Sequence, residues 1–526
     1  MQREVDSLEV QNAFERTVLP PGRKAIGVCW TYDHKHEADG SIIRGKEKAR
    51  LVAQGFSQRP EDFDETYAPV VKLTSVRVLP AFANYHNYEI MSFDVKTAFL
   101  HAWLPYSIYV KQIPGYPEDD PKTVLRLLVA LYRLKQSAYQ WYTLLTATFA
   151  DLGLYRCEAD HAIFIGRWST PPDHTITMPD SEDPLVLIIP IHVDDGLAIC
   201  NSSSLYAWFV RAISQKVDFV CLGSITNAWY LGQRIVCNHA QKTIHILQSD
   251  LVTNLLEDWG MLECKISTVP LSHNLNNLPP CSPNACPNIP DCDITVAYQR
   301  LVGSLTYLAV CMRPDLAFAA MALGQFNASA TRAHLMVAKG VLRYLAGTVH
   351  LGLMFSLHNA HLPASVQIHT SACGLSDADW ASNERDRKSI SGYCFYFHNS
   401  LVSWSARKQR TVSTSSTEYE YYALANTIKE ALWIKLFLYL THLHNAPSLP
   451  LLCDNQSARS IATTDSISSC TKHIDVRHHF IHEHITNGSF PLHWIPTSNM
   501  VTDIFTKSLP AVLFLHHRDN LGLFPL

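Results

Sequence analysis

Apolar and polar positions change period several times along the chain, and each change marks an element. Before residue 271, strand-like apolar runs (Tyr88 to Val95, Leu185 to Val193, Leu197 to Cys200) alternate with helix-like ones (Val124 to Leu134, Trp141 to Leu152). That mixture predicts an α+β fold. From Tyr298 to Leu345 apolar residues recur at intervals of three and four without strand alternation, so a helical connecting unit is expected there. Three strand candidates (Ser365 to Ser376, Gly392 to Phe397, Leu401 to Ser405) then precede a long helix from about Thr417 to Leu440. Leu449 to Cys453, a short helix from Gln456 to Ala462, and Pro491 to Ile495 complete a pattern that predicts a mixed-sheet α/β domain. Residues 272–292, dense in Pro, Asn and Cys, read as a linker, and residues 357–365 form a weaker break.

Composition narrows the class. A chain of 526 residues is several globular units at ~100–200 residues each. With 47% hydrophobic and 17% charged residues it is neither disordered nor a coiled coil. Lys+Arg at 43 against Asp+Glu at 47 leaves a net charge of −4, so nucleic-acid binding has to come from local patches. The run from Leu185 to Val193 contains a proline and is far shorter than the ~20 residues that cross a bilayer, so no membrane partner is expected. The N-terminus has no apolar signal core, which points to reduced thiols for the 14 cysteines. Cys281, Cys286 and Cys292 lack the short spacing of a zinc site.

The sharpest local chemistry is Ile191-His-Val-Asp-Asp-Gly196, in which Asp194 and Asp195 stand between two apolar runs. This predicts a β-hairpin with acids at its turn, although Asp-Asp-Gly is also ordinary turn chemistry. Asp94 ends another strand-like run, and three carboxylates on adjoining strand ends can hold a pair of Mg²⁺ ions for nucleotidyl transfer. Between Arg44 and Arg59 the chain carries Arg44, Lys46, Lys48, Arg50 and Arg59 against the single acid Glu47, a solvated face or a clamp for phosphates. A second basic group comprises Arg385, Arg387, Lys388, Arg407, Lys408 and Arg410. The C-terminal acids Asp377, Glu418, Asp454 and Asp503 each sit at the edge of a predicted element, in the layout of a two-metal ribonuclease site. Ser415-x-x-Glu418 is equally a capping box, and Asp454 equally a helix N-cap.

An ordered series of motifs runs through nearly the whole chain: Lys48-Ala-Arg-Leu-Val-Ala-Gln-Gly-Phe, Asp64-Glu-Thr-Tyr-Ala-Pro-Val-Val, Phe93-Asp-Val-Lys-Thr-Ala-Phe-Leu, Val193-Asp-Asp, Val302-Gly-Ser-Leu-Thr-Tyr-Leu, Asp377-Ala-Asp-Trp-Ala, Ser415-Ser-Thr-Glu, Asp454-Asn-Gln-Ser-Ala and Thr471-Lys-His-Ile-Asp. It resembles the reverse transcriptase and RNase H region of copia-type long-terminal-repeat retrotransposon polyproteins. The resemblance implies a right-hand polymerase of fingers, palm and thumb, a helical connection, and a C-terminal RNase H-like mixed-sheet α/β domain. The implied divisions are a truncated leader at 1–22, fingers and palm with the start of the thumb at 23–271, linker and helical thumb or connection at 272–364, and the RNase H-like domain at 365–526. Asp94, Asp194 and Asp195 match the polymerase carboxylates, while Lys48 and Arg50 fall near the incoming triphosphate. Phe99 matches the aromatic residue that blocks a ribose 2′-hydroxyl, and reads equally as a core residue. Asp377, Glu418, Asp454 and Asp503 match the RNase H acids, with Asp379 as a substitute for Asp377. Two Mg²⁺ per site are implied, with Mn²⁺ able to stand in. The implied partners are an RNA template, a DNA primer, RNA·DNA hybrid and deoxynucleoside triphosphates. The implied location is cytoplasmic, with a virus-like particle and nuclear access for the DNA product as further expectations.

The chain departs from the family pattern at three positions near the acids. His192 replaces a Tyr, Arg133 a Gly and Ala138 a Pro, and protease, integrase and zinc-knuckle motifs do not occur, as in a fragment or a decayed copy. A non-catalytic relic and a chain retaining only the nuclease therefore stand beside the leading reading.

Overall fold

The apolar run beginning at Leu185 is buried as far as Ile191, so it needs neighbours on both faces. In the computed structural model, which describes residues 1–33, 48–178, 183–224, 226–271, 291–356, 371–379, 386–413, 415–444, 448–463 and 475–526, it is an inner strand of the largest sheet. The described residues form two compact units, 1–71 with 89–224 and 72–88 with 225–526.

In the first unit the strands are β1 (Phe14–Val18), β2 (Val28–Asp33), β3 (Lys48–Ala53), β4 (Glu89–Val95), β5 (Trp103–Val110), β6 (Thr123–Val129), β7 (Tyr155–Arg156), β8 (Ile163–Trp168), β9 (Leu185–His192), β10 (Asp195–Cys200) and β11 (Phe219–Ser224). They make a sheet of order β11-β4-β10-β9-β8-β7, a second of order β1-β6-β5, and the pair β2-β3. The helix Ser137–Asp151 buries Ser137, Trp141, Leu145, Thr148 and Phe149, one face at helical spacing. One expected element is overturned. Val124 to Leu134, read as a helix, contains strand β6, whose Leu125, Leu127 and Val129 are buried in alternation. A short apolar run fits both periods, and pairing with β1 and β5 decides it.

The second unit contains β12 (Ala228–Tyr230), β13 (Gln233–Asn238), β14 (Thr243–Leu247), β15 (Leu351–Ser356), β16 (Ala372–Asp379), β17 (Ile390–Phe397), β18 (Ser400–Lys408), β19 (Leu451–Cys453), β20 (Leu492–Trp494) and β21 (Leu523–Pro525). One sheet has the order β12-β13-β14-β15-β21 and the other β18-β17-β16-β19-β20. In the latter β16 runs antiparallel to β17 and parallel to β19, which is parallel to β20, the mixed sheet the C-terminal pattern predicts. The expected helical segment is three helices, Asp291–Cys311, Ala317–Gly324 and Arg332–Ala346. They meet at a buried ion pair, Arg313 to Asp315 at 2.7 Å, to which the Tyr344 hydroxyl donates at 2.7 Å.

The helix Leu73–His86 also belongs to this unit. Its Arg77 guanidinium donates to the carbonyls of Val402, Val310 and Cys311 and lies 3.9 Å from the Trp404 ring centre. The compact units are therefore drawn differently from the sequence divisions. Residues 272–290 of the expected linker at 272–292 and the break at 357–365 lie outside the described residues, while Asp291 and Cys292 open the helix Asp291–Cys311. So do Arg44, Lys46, Glu47, Arg385, Cys281, Cys286 and Thr471. Among the described residues no helix is long and apolar enough to cross a membrane.

Candidate functional site

Asp94, Asp194 and Asp195 are brought together in the first unit by strand register. β4 and β10 pair antiparallel with Asp94 directly opposite Asp195. β9 and β10 form the expected hairpin, His192 opposite Asp195, with Val193 and Asp194 between the strands. Asp94 and Asp195 are half-buried and Asp194 is exposed at the tip. Gly196 faces Phe93 across the pair, and a Cβ there would stand 2.3 Å from the Phe93 ring, so glycine lets the two acid-bearing strands close. Val193 takes φ +62°, a left-handed conformation that costs a β-branched residue ~1–3 kcal/mol. Both turn carbonyls are held. The Val95 N–H donates to Asp194 O at 2.9 Å, and the Trp141 indole N–H donates to Val193 O at 2.6 Å.

Lys48, Arg50 and Phe99 belong to the same unit. Phe99 is half-buried against the core and edge-on to Tyr132, with ring centres 5.4 Å apart. The Arg50 guanidinium lies 5.9 Å from the Tyr132 ring centre. Burial, then the charges of Glu4 and Asp194, push the Tyr132 phenol up to about 12 against the pull of Arg50. Tyr132 thus links the basic strand, the aromatic residue and the hairpin acids, a role that sequence reading missed. Its place in Leu131-Tyr-Arg, one residue before a departure from the family pattern, was the available signal. Arg133 itself is exposed and takes φ +66°, so its backbone adopts a conformation suited to Gly while its side chain points to solvent. Ala138 lies in the first turn of the Ser137–Asp151 helix, where a Pro would fit equally.

The second carboxylate set lies in the second unit. One ligand oxygen each from Asp377, Glu420 and Asp454 lies within 4.8 Å of the others. Asp377 is on β16, Glu420 on the helix Ser416–Leu440, and Asp454 follows β19. The helical acid that the structure brings to this group is Glu420, not Glu418. Glu418 occupies the first turn, where its N–H donates to the Ser415 hydroxyl at 3.2 Å, and side chains two residues apart on a helix do not share a face. Asp454 is not the cap of the next helix either. Asn455 accepts from the Ala458 N–H at 2.9 Å, leaving Asp454 to accept from the Thr497 hydroxyl at 2.7 Å. Asp377 accepts from the Thr506 hydroxyl at 2.7 Å. Asp503, at the start of the helix Asp503–Thr506, pairs with Lys507 at 2.9 Å. Burial, then Asp503 and Asp454, raise Asp377 to about 7. Burial, then Asp377 and Asp454, raise Glu420 to about 10. Burial also raises Asp503, against the hydrogen bond from Lys507. Asp379 is not a member of the group.

Carboxylate oxygens are the donors hard cations prefer, and buried like charges gathered this closely are relieved by a dication. The set of Asp377, Glu420 and Asp454, with Asp503 beside it, therefore fits a hard divalent cation. Asp94, Asp194 and Asp195 have the same donor chemistry. Among the described residues, however, only the second set brings three ligand atoms within 4.8 Å of one another. In the same unit, a polar cavity of about 480 Å³ is lined by Arg407, Arg410, Lys429, Arg477, Tyr422 and Asn426. The Arg477 guanidinium lies 3.8 Å from the Tyr422 ring centre, and Lys408 pairs with Asp386 at 2.9 Å. Arg407, Lys408 and Arg410 of the expected basic group are thus joined by Lys429 and Arg477, which only the fold brings near them.

A family profile described as reverse transcriptase (RNA-dependent DNA polymerase) matches residues 11–273. The chain is 32% identical to the retrovirus-related Pol polyprotein from transposon TNT 1-94 of Nicotiana tabacum, over 99% of this chain and 37% of that protein. It is 31% identical to the corresponding polyprotein from transposon RE2 of Arabidopsis thaliana, over 96% of this chain and 32% of that one. The chain therefore spans about a third of the length of these relatives. A solved foamy viral protease-reverse transcriptase in complex with dsDNA is similar over 94% of this chain and 82% of that one, at 10% identity and a TM-score of 0.46.

Proposed function

The chain belongs to the reverse transcriptase (RNA-dependent DNA polymerase) family, and from that premise we propose that it copies an RNA template into DNA and cleaves the RNA of the resulting hybrid. The substrates are a primed RNA template and deoxynucleoside triphosphates, with two Mg²⁺ ions at each site. The observation that carries the reading is that each compact unit holds its own set of carboxylates on neighbouring element ends. Asp94, Asp194 and Asp195 hold the ions of the synthesis site. Asp377, Glu420 and Asp454, with Asp503, hold those of the cleavage site. Bound Mg²⁺ activates the attacking oxygen and neutralises charge on the phosphates.

The remaining work falls to the chain's own groups. Lys48 and Arg50 attract the triphosphate by charge-assisted hydrogen bonds. Phe99, backed by Tyr132, presents an apolar edge where a ribose 2′-hydroxyl would find no partner, which favours deoxynucleotides. Arg407, Arg410, Lys429 and Arg477 supply the local positive field that the overall charge of −4 does not, and they hold the backbone of the hybrid.

A nuclease-only reading is favoured by one observation, the closer gathering of the second carboxylate set. Both are tested with the purified chain, a labelled DNA primer on an RNA template, and Mg²⁺. Primer extension with loss of the template strand supports the full reading, and strand loss from a preformed hybrid without extension supports the narrower one. Neither activity under Mg²⁺ or Mn²⁺ refutes both and leaves a non-catalytic relic.

A further inference from the structure

The turn that presents Asp194 is held from one side by a residue outside the carboxylate set. In a two-residue hairpin the carbonyls of the turn residues fall outside the strand ladder and need other donors when buried. Here Asp194 O is taken by the neighbouring strand and Val193 O by the fully buried Trp141, whose indole N–H stands 2.6 Å away. The peptide that Trp141 holds is the one joining Val193 to Asp194. Val193 is β-branched and at φ +62°, so the turn is strained, and the bond from Trp141 fixes ψ of Val193, the rotation that sets how the chain leads into Asp194. Release of that rotation would let the turn open and carry the Asp194 side chain away from Asp94 and Asp195. Trp141 can resist because it is fixed in turn, on the buried face of the Ser137–Asp151 helix with Leu145 and Phe149.

We infer that Trp141 is a positioning residue of the synthesis site, its indole N–H fixing the Val193–Asp194 peptide of the strained turn so that the Asp194 carboxylate is aimed at the metal position shared with Asp94 and Asp195. The inference rests on the polymerase reading proposed above. It predicts that losing the N–H while the ring body is kept misplaces a carboxylate without touching nucleotide binding.

The test compares the full chain with Trp141→Phe, and with a variant carrying the isosteric benzothienyl analogue of tryptophan at position 141, which keeps the ring body and lacks the N–H. On poly(rA) primed with oligo(dT), kcat for dTTP incorporation falls ~10²-fold, the cost of a ligand displaced by ~1 Å, while KM for dTTP is unchanged. In an Asp454→Asn background, Mn²⁺ bound without nucleic acid and followed by electron paramagnetic resonance is held more weakly than in the Trp141 parent. Cleavage of a preformed hybrid stays at the parental rate, and an unchanged circular dichroism spectrum and unfolding midpoint show that both variants fold. Parental kcat and Mn²⁺ affinity in either variant overturn the inference, and so does a loss of extension that comes with a lowered unfolding midpoint in the benzothienyl variant, which assigns Trp141 to packing. A native chain that extends no primer refutes the polymerase reading instead. The Mn²⁺ comparison then decides the positioning role by itself.

Discussion

Glu418 and Glu420 stand two residues apart on one helix, and a helix turns ~200° between such positions. Sequence motif alone selects Glu418, because the capping signature from Ser415 and the family pattern both end on it. Helix phase selects Glu420. Ala423 is buried and the Thr427 hydroxyl donates to Ser376 on β16 at 2.9 Å, so positions 420, 423 and 427 form the stripe that faces the sheet. That periodicity was legible, and it was the signal to follow. The expected outcome is that Glu420→Gln lowers hybrid cleavage by ~10²-fold or more and Glu418→Gln leaves it near the parental rate, measured on a labelled hybrid. Glu420 is also held with its folded pKa at about 10, above its ordinary 4.5, by burial, Asp377 and Asp454. The unfolded chain therefore releases this proton more readily, and stability is lost as pH rises from about 4.5 to about 10. Glu420→Gln removes that loss, so thermal unfolding of the metal-free protein at pH 8 should come at a higher midpoint in the variant than in the parent.

Elements were legible where one period fits and tertiary pairing agrees with it. The β9–β10 hairpin was recoverable from its unbroken apolar run and its Asp-Asp-Gly turn, whereas β6 was not, because only its partners reveal which period holds. The conformation of Arg133 was likewise half legible. Its position calls for a Gly, and the backbone does adopt φ +66°, but Arg pays for it in strain rather than by intruding on the site. Arg133→Gly should therefore change stability by no more than ~1 kcal/mol in either direction, relief of left-handed strain offsetting Gly's larger entropy loss. It should leave hybrid cleavage untouched, and chemical denaturation with a cleavage assay checks both. The β17–β18 turn carries a different sensitivity. His398 is buried there at φ +46°, stacked on Tyr85 at 3.7 Å. Burial, then His86 and His444, push it down to about 3. Its folded pKa lies below its ordinary 6.5, so the stability it contributes is present above pH 6.5 and lost as pH falls from there toward 3. His398→Phe should flatten that acid limb in a pH series of unfolding midpoints.

At the scale of the whole chain, composition and motif order reveal the family and the two sets of acids, but not how residues distant in sequence close each unit. The C-terminal strand β21 leaves the sheet that carries Asp377 and pairs with β15, Leu523 opposite Leu353. Arg77, far upstream, caps carbonyls at Val310, Cys311 and Val402, and the Trp404 indole donates to Ala309 O at 2.8 Å. No local pattern encodes such contacts. A fragment of residues 365–526 loses all of them, so it should unfold at a lower midpoint than the second unit does within the full chain, as differential scanning calorimetry would record. The central claim is that one chain carries two separate carboxylate sites with different chemistry. Its most direct test assays primer extension and hybrid cleavage side by side on the full chain, Asp194→Ala and Asp454→Asn. The predicted result is a crossed loss, extension abolished with cleavage intact in Asp194→Ala, and cleavage abolished with extension intact in Asp454→Asn. Loss of both activities from either single variant, or of neither from both, would contradict it.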